Sequence, residues 1–294
     1  MPRAALLSLH ARVDGTTPQS WEDPGLVQVW GPRFSVFVAA GVDLALFTLA
    51  LLPDDPRGRE RAKRLAAQLH DLLANGVDSL EEAGRRVGVH PNAFRYAAAT
   101  GTVLIRWDGA RRPRVSPCPP PDVDPGEARL ELARRYLHVF GPTTAASFAS
   151  WSGLSASSSE AVFSRLRPSL VPVRTPIGPA WVLASDEASF RSRARPEAAV
   201  RLLPSGDPYF LLQGPDRELL VANPDQRAQL WTPRVWPGAL LLDGEVAGTW
   251  RRSGRRVRIE AWRDLSGAER DRIAAEVTSL PLPEPSPATV EITP

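Results

Sequence analysis

Twice between residues 79 and 183 the chain repeats one order of helix, turn, helix and two strands, and after residue 196 it changes to short strands joined by tight turns. With the proline-rich break at Pro117–Gly126, these observations predict an α+β protein. Its expected architecture is tandem winged helix-turn-helix units followed by a β-rich, barrel-like C-terminal unit. The expected division is 1–117, 118–196 and 197–294, the last ending in a closing helix and a proline-rich tail.

The elements follow from local chemistry. Residues 2–13 carry Ala4, Leu6, Leu7, Leu9 and Ala11, the pattern of a helix that begins abruptly at the first residue. Strands are expected at 26–30 and 34–39, a helix from Asp43 through Leu51, and a charged helix over 57–75 that Gly76 ends. Ser79 can cap a helix whose apolar positions are Leu80, Ala83 and Val87, with Glu81 and Glu82 at its positive end. Pro91 suits the first turn of a second helix, and Gly101 ends it by a left-handed turn. The strand 102–107, the turn pair Asp108-Gly109 and a returning strand with Arg111, Arg112 and Arg114 complete a basic hairpin.

Past the proline-rich connector, helices are expected at 127–140, 143–151 and 155–167, and strands at 170–174 and 180–183. A loop over 185–196 leads to strands at 200–203, 209–212, 218–221, 239–242, 245–252 and 255–262. Asp243-Gly244 and Ser253-Gly254 are the expected two-residue turns, a helix covers 266–280, and the tail after Pro281 is expected to fray.

Composition narrows the function classes. The 294 residues are 43% apolar and 23% charged, as in globular proteins, and no apolar run approaches the roughly 20 residues that span a bilayer. No membrane association and a cytoplasmic location are therefore expected. The lone Cys118 excludes an internal disulfide and a cysteine-based zinc cage. His10, His70, His90 and His138 lie on separate elements without metal-ligand spacing, and there is no phosphate loop, dinucleotide fingerprint or nucleophile elbow. No metal and no cofactor are expected. Net charge is only +3, but 35 of the 36 basic residues are arginine. They cluster at 57–64, 111–114, 191–195 and 251–258, where a GC-rich genome or phosphate binding would each explain them.

Four stretches, VQVWGPRFSVFV, ARRYLHVFGPTTAASFASWSGL, RLLPSGDPYFLLQGPDRELL and GEVAGTWRR, resemble the winged-helix DNA-binding family that contains the AlkZ and YcaQ type DNA glycosylases. The resemblance covers residues 2 to about 280. It implies an array of winged helices around duplex DNA, undamaged or alkylated, and removal of N-alkylated or crosslinked purines; a monomer is expected. The family's catalytic Gln-x-Gln or Gln-x-Asp pair precedes the helix that PRAALLSLHARV resembles, and nothing in this chain maps onto it. An upstream start codon that restores the pair is one expectation, and a non-catalytic, regulatory DNA-binding protein is the alternative. Winged helices that serve protein contacts are a third reading.

Catalytic residues thus stay unknown, with His10 and Asp207 as candidates. His10 with Arg12 could orient water, although arginine is a poor base and its charge opposes an oxocarbenium-like sugar. The alternative is a helix-end histidine beside a surface arginine. Asp207, on the turn Pro204–Tyr209, either faces a concave surface and pairs with Arg217, or stabilises the turn as a buried ion pair. The DNA-binding candidates are Arg33, Arg95 on the second helix, Arg111, Arg112 and Arg114 on the first wing, and Arg251, Arg252, Arg255 and Arg256 on a hairpin tip where they repel one another unless water or a polyanion surrounds them.

Overall fold

The computed structural model describes residues 2–107, 112–192, 199–282 and 289–293. Contacts divide the chain into two compact units, one holding Glu22–Thr175 and Pro179–Glu187, the other Arg3–Trp21 and Ala188–Pro294 with Pro176–Gly178. Helix α1 (Pro2–His10), expected to open the first unit, packs within the second, where Leu7 joins the core of the C-terminal sheet.

The first unit begins with the antiparallel pair β1 (Leu26–Trp30) and β2 (Val36–Ala40), joined by a 3-10 turn at Pro32–Phe34. The expected strand start at Phe34 is therefore two residues early. The helix expected from Asp43 to Leu51 is broken at Thr48 into α2 (Leu44–Phe47) and a 3-10 turn. Helix α3 (Pro56–Ala74) starts where the Asp55 carboxylate accepts from the Gly58 N–H, with Pro56 in its first turn. Helix α4 (Leu80–Val87) is capped by Ser79 and ended by Gly88 at φ 73°. The second helix, expected as α, is instead a 3-10 helix over Pro91–Thr100. Its tight turns bury Phe94, Ala97, Ala98 and Ala99 along one side. Strands β3 (Val103–Arg106) and β4 (Arg114–Pro117) form the hairpin; its turn pair Asp108-Gly109 and Arg111 lie outside the described residues.

Helices α5 (Pro125–Phe140), α6 (Ala145–Ser152) and α7 (Ala156–Leu166) each begin at a side-chain cap, Asp124, Thr144 and Ser155. The hairpin of β5 (Leu170–Thr175) and β6 (Gly178–Leu183) follows. Their core gathers Tyr136, Phe148, Trp151 and Phe163, with aromatic centroids 4.9 to 6.3 Å apart. Fully burying a side chain such as Phe148 stabilises by about 2–3 kcal/mol. A buried guanidinium ties α5 to the preceding segment: Arg129 donates to the Ala50 and Leu52 carbonyls and to both oxygens of Asp54. Burial raises the Asp54 pKa, but hydrogen bonds from Arg129 and Ser158 and the Arg129 charge outweigh it and lower it.

The second unit is an open sheet, not the expected barrel. After α8 (Glu187–Arg191), within the expected loop, the strands β7 (Val200–Leu203), β8 (Gly238–Leu242), β9 (Glu245–Ser253), β10 (Arg256–Ala261) and β11 (Thr289–Thr293) lie in the order β11-β10-β9-β8-β7. Both edges stay unpaired among the described residues, so the sheet does not close. Two expected strands are absent. Residues 208–210 form a 3-10 turn with Pro208 in its first position, and residues 217–220 form the short helix α9 (Arg217–Leu220) after the Gly214–Asp216 turn. Pro208 and Pro215, just ahead of the two segments, fix φ in the first turns of these 3-10 elements and so favour turning over extension. The tail after Pro281 does not simply fray: β11 pairs in parallel with β10, and Val290 and Ile292 pack on the core.

The Asp243-Gly244 turn is as expected, with φ 54° and 89°, whereas the second hairpin turns at Gly254-Arg255, one residue later than expected. Alternation buries both faces of the sheet. Leu202, Leu240, Leu242 and Ile259 pack with α11 (Gly267–Ser279), while Leu203 and Ala239 pack with Phe210, Trp231 and α10 (Pro224–Leu230).

Gly238 sits where β8 meets the Trp250 ring. A Cβ there would fall 2.2 Å from Trp250 Nε1, which donates to the Leu203 carbonyl at 2.8 Å. We expect Gly238→Ala to lower stability by about 2–3 kcal/mol. Gly267→Ala, in open space at the start of α11, should be neutral or stabilising by up to about 1 kcal/mol. Urea unfolding of the pair checks this, and equal effects would refute the packing account.

Helix α11 also carries a capping box between Ser266 and Glu269. The Arg263 hydrogen bond, then those from Ser266, lower the Glu269 pKa to about 2. Its stabilisation is therefore complete above its ordinary value of 4.5 and lost as pH falls toward about 2. Thermal midpoints of wild type and Glu269→Gln should converge across that window.

Candidate nucleic-acid interface

Asp207 is 1% exposed, and its carboxylate is fully engaged. Arg12 donates from Nη1 to Oδ2 at 2.9 Å and from Nη2 to Oδ1 at 2.7 Å. Ser8 Oγ donates to Oδ2 at 2.6 Å, and the Tyr209 N–H donates to Oδ1 at 2.8 Å. The partner is Arg12, not the expected Arg217. Arg217 donates from Nε to the Leu212 carbonyl, and its guanidinium lies 5.0 Å from the Trp231 ring centroid. Asp207 thus behaves as the turn stabiliser and buried ion pair, remote from any role as an accessible base. His10 is also committed: Nδ1 lies 2.7 Å from Thr16 Oγ1 and Nε2 3.0 Å from Ser279 Oγ.

The other histidines have local partners too. His70 Nε2 lies 3.1 Å from the Thr102 carbonyl, His138 pairs with Asp186, and His90 Nδ1 accepts from the Asn92 N–H. Among the described residues no group of three His, Cys, Asp or Glu side chains is placed to hold a metal ion. An open pocket of about 340 Å³ is lined by Arg217, Glu218, Arg227 and Trp231, but no candidate residue reaches it. Arg227 is spent on the Val221 and Ala222 carbonyls.

The candidate arginines fall into two kinds. On the first hairpin Arg112 pairs with Glu81, and Arg114 with Asp78 at 3.1 Å. Exposed pairs of this kind hold by about 0–1 kcal/mol, so a polyanion can compete for both guanidiniums. On the β9–β10 hairpin Arg251 donates to the Val235 carbonyl, whereas the side chains of Arg252, Arg255 and Arg256 have no carboxylate partner among the described residues. The two-residue turn Gly254-Arg255 brings these charges together, with Arg255 and Arg256 exposed and Arg252 half-buried.

Arg33 and Arg95 are brought to one corner, which sequence reasoning did not foresee. The β1–β2 turn is closed by hydrogen bonds from the Gly31 N–H to the Ser35 carbonyl and from the Phe34 N–H to the Gly31 carbonyl, both 2.9 Å. Within it Arg33 and Phe34 hold left-handed φ of 54° and 57° in succession. Non-glycine residues there cost about 1–3 kcal/mol each and persist only where the surroundings impose them. Pro32 is buried, Arg33 donates to the Ser150 carbonyl at 2.9 Å, and Gly153 admits the Arg33 backbone where a Cβ would lie 3.4 Å from its Cα.

Phe34 is left 40% exposed with its ring 4.7 Å from Tyr96, edge to face. The Arg95 guanidinium lies 5.0 Å from the Phe34 centroid and Arg61 lies 3.9 Å from that of Tyr96. The Arg95 hydrogen bond first, then the Arg95 and Arg61 charges, lower the Tyr96 pKa. Tyr96 carried no motif that would single it out, Phe34 lay within the family-like stretch VQVWGPRFSVFV without a role of its own, and only the basic cluster at 57–64 pointed near Arg61.

Removing Arg12 would strand a buried carboxylate. We expect Arg12→Ala to cost about 2–3 kcal/mol, below the ~3–5 kcal/mol of an enclosed pair because the Arg12 side chain is 45% exposed. The double variant with Asp207→Asn should recover part of that loss in denaturant unfolding, and strict additivity would contradict the pairing.

Comparisons with known proteins agree with this architecture. The sequence pattern of the family described as DNA glycosylase AlkZ-like matches residues 1–281. A Streptomyces sahachiroi protein named interstrand DNA cross-link repair glycosylase is 28% identical over 131 residues. The match spans 43% of this chain and only 35% of that relative. The structure of Streptomyces sahachiroi DNA glycosylase AlkZ aligns with a TM-score of 0.72 at 18% identity, covering 99% of this chain and 90% of that one. At such identity the likeness speaks for a shared mixed α/β fold. With nearly its whole length inside the family pattern, the chain belongs to the AlkZ-like DNA glycosylase family.

Proposed function

We propose that this protein binds duplex DNA and acts in the repair of N-alkylated or crosslinked purines. The observation that carries this reading is the set of guanidiniums without carboxylate partners among the described residues. Arg33, Arg61 and Arg95 form one such group in the first unit, and Arg252, Arg255 and Arg256 another in the second. Like charges held together at a surface repel, and phosphates relieve that repulsion while releasing counterions. The segments 79–117 and 143–183 are read as winged helices that scaffold such contacts. Family membership supports the repair chemistry.

A second reading, DNA binding without excision, has one specific observation in its favour. His10 and Asp207 are both spent on internal hydrogen bonds, so neither is presented to a sugar or a water. Excision would then depend on groups other than these two.

Two measurements separate the readings. In anisotropy titrations with an undamaged duplex, affinity should fall more than about 100-fold between roughly 50 and 200 mM salt, since each neutralised phosphate adds about −0.9 to the log–log slope. No binding at low salt would sink both readings. Incubation with a duplex containing N7-methylguanine should leave abasic sites that alkali cleaves. Binding without such cleavage would select the non-excising alternative.

A further inference from the structure

The Phe34 corner combines features that local packing alone does not explain. An aromatic side chain ordinarily gains by burial, yet the backbone here is held in a costly left-handed conformation that leaves the ring 40% exposed. Five neighbours over-determine the tip. Pro32 and the Gly31–Ser35 hydrogen bond anchor it from inside, the Arg33–Ser150 bond and the close approach of Gly153 clamp one side, and Tyr96 braces the ring edge to face. The ring is therefore pre-organised in an outward position, and its ordering cost falls at folding rather than at binding.

Cations gather at this corner. Arg95 lies against the Phe34 and Tyr96 rings and Arg61 against Tyr96, while Arg33 precedes Phe34 in the turn and donates to the Ser150 carbonyl; none is paired with a carboxylate among the described residues, and Arg95 Nε is buried without a hydrogen-bond acceptor. A rigid apolar ring beside cations matches a partner that offers flat π faces between rows of anions. Duplex DNA has that chemistry, with bases stacked between phosphates. An acidic protein surface would satisfy the arginines but offers no slot for the ring.

We propose that Phe34 is a wedge that enters the base stack of bound duplex DNA while Arg33, Arg61 and Arg95 hold the flanking phosphates. The inference rests on the duplex-binding reading above and adds to it the side chain that unstacks the bases. A ring inserted at a base step unstacks and kinks the duplex, which lowers the cost of exposing a neighbouring base. Flexible steps such as TA are the ones that accept it most readily.

The test compares wild type, Phe34→Ala, Phe34→Tyr, Arg33→Gln and Arg61→Gln for duplex affinity across salt concentrations. Thymine oxidation by permanganate in the bound duplex reports unstacking. Phe34→Ala should weaken binding about 10-fold or more with an unchanged salt slope, since base–aromatic stacking is sequence-tolerant and uncharged. Phe34→Tyr, which keeps the ring, should bind like wild type. Each arginine variant should reduce the slope by about 0.9. Permanganate reactivity should rise with wild type and Phe34→Tyr, and stay at the free-duplex level with Phe34→Ala. Wild-type binding that Phe34→Ala leaves unchanged, or weaker binding without any permanganate difference, would overturn the wedge and leave the duplex-binding reading standing. Failure of wild type to bind at low salt would overturn both.

Discussion

A carboxylate cannot stay charged inside a protein without partners, and Asp207 obtains four hydrogen bonds from three residues. Two of the three, Ser8 and Arg12, come from the N-terminal segment, almost two hundred positions away in sequence. That interaction holds α1 and the residues after it within the C-terminal unit. The rest of the unit follows from it: Leu7 completes one face of the sheet, Ala11 the other, and the Arg201 guanidinium closes on the Ala11 carbonyl. Ser8, Arg12 and Asp207 therefore act as one structural node.

The protein uses arginine in two distinct ways. Arg129 is almost fully buried, satisfies two backbone carbonyls and one carboxylate, and works as a structural cross-tie within its unit. Arg217 and Arg227 likewise serve backbone carbonyls around the 3-10 and helical turns. Against these stand the guanidiniums at 33, 61 and 95 and at the β9–β10 tip, which no carboxylate neutralises among the described residues. Charge count alone, with a net of +3, hides this division. The distinction lies in charge: Arg129 and Arg227 face a carboxylate as well as carbonyls, whereas Arg33 and Arg251 meet only a carbonyl, and a guanidinium without a carboxylate keeps its charge for a phosphate.

The two basic surfaces also differ in stiffness. The Arg33–Phe34 turn is built from a buried proline, internal hydrogen bonds and a contact with the loop at Gly153. The Arg251–Arg256 tip is a two-residue turn with Arg255 and Arg256 exposed, Arg252 half-buried and Arg251 bonded to the Val235 carbonyl. A rigid corner suits a fixed point of insertion, whereas long side chains on a hairpin suit adaptable phosphate contacts. Both uses follow from how the backbone presents the same residue type.

Much of this was legible in the residues themselves. Capping serines and aspartates, C-terminal glycines and the Asp243-Gly244 turn act through neighbours a few positions away, so the helices and hairpins could be read in order. The strands expected at 209–212 and 218–221 failed because apolar runs flanked by proline cannot be told from tight turns by composition. The pairing of Thr289–Thr293 with β10 is a long-range parallel contact that no local pattern announces. What the sequence determined by itself was a mixed α and β class, the order of most elements up to residue 183 and the family. Only the tertiary structure decided that Asp207 takes Arg12 rather than Arg217, that the sheet stays open, and that Arg33, Phe34, Arg61 and Arg95 share one corner. The physical reason is that burial, charge neutralisation and backbone strain depend on which distant groups meet, and local periodicity carries no record of that.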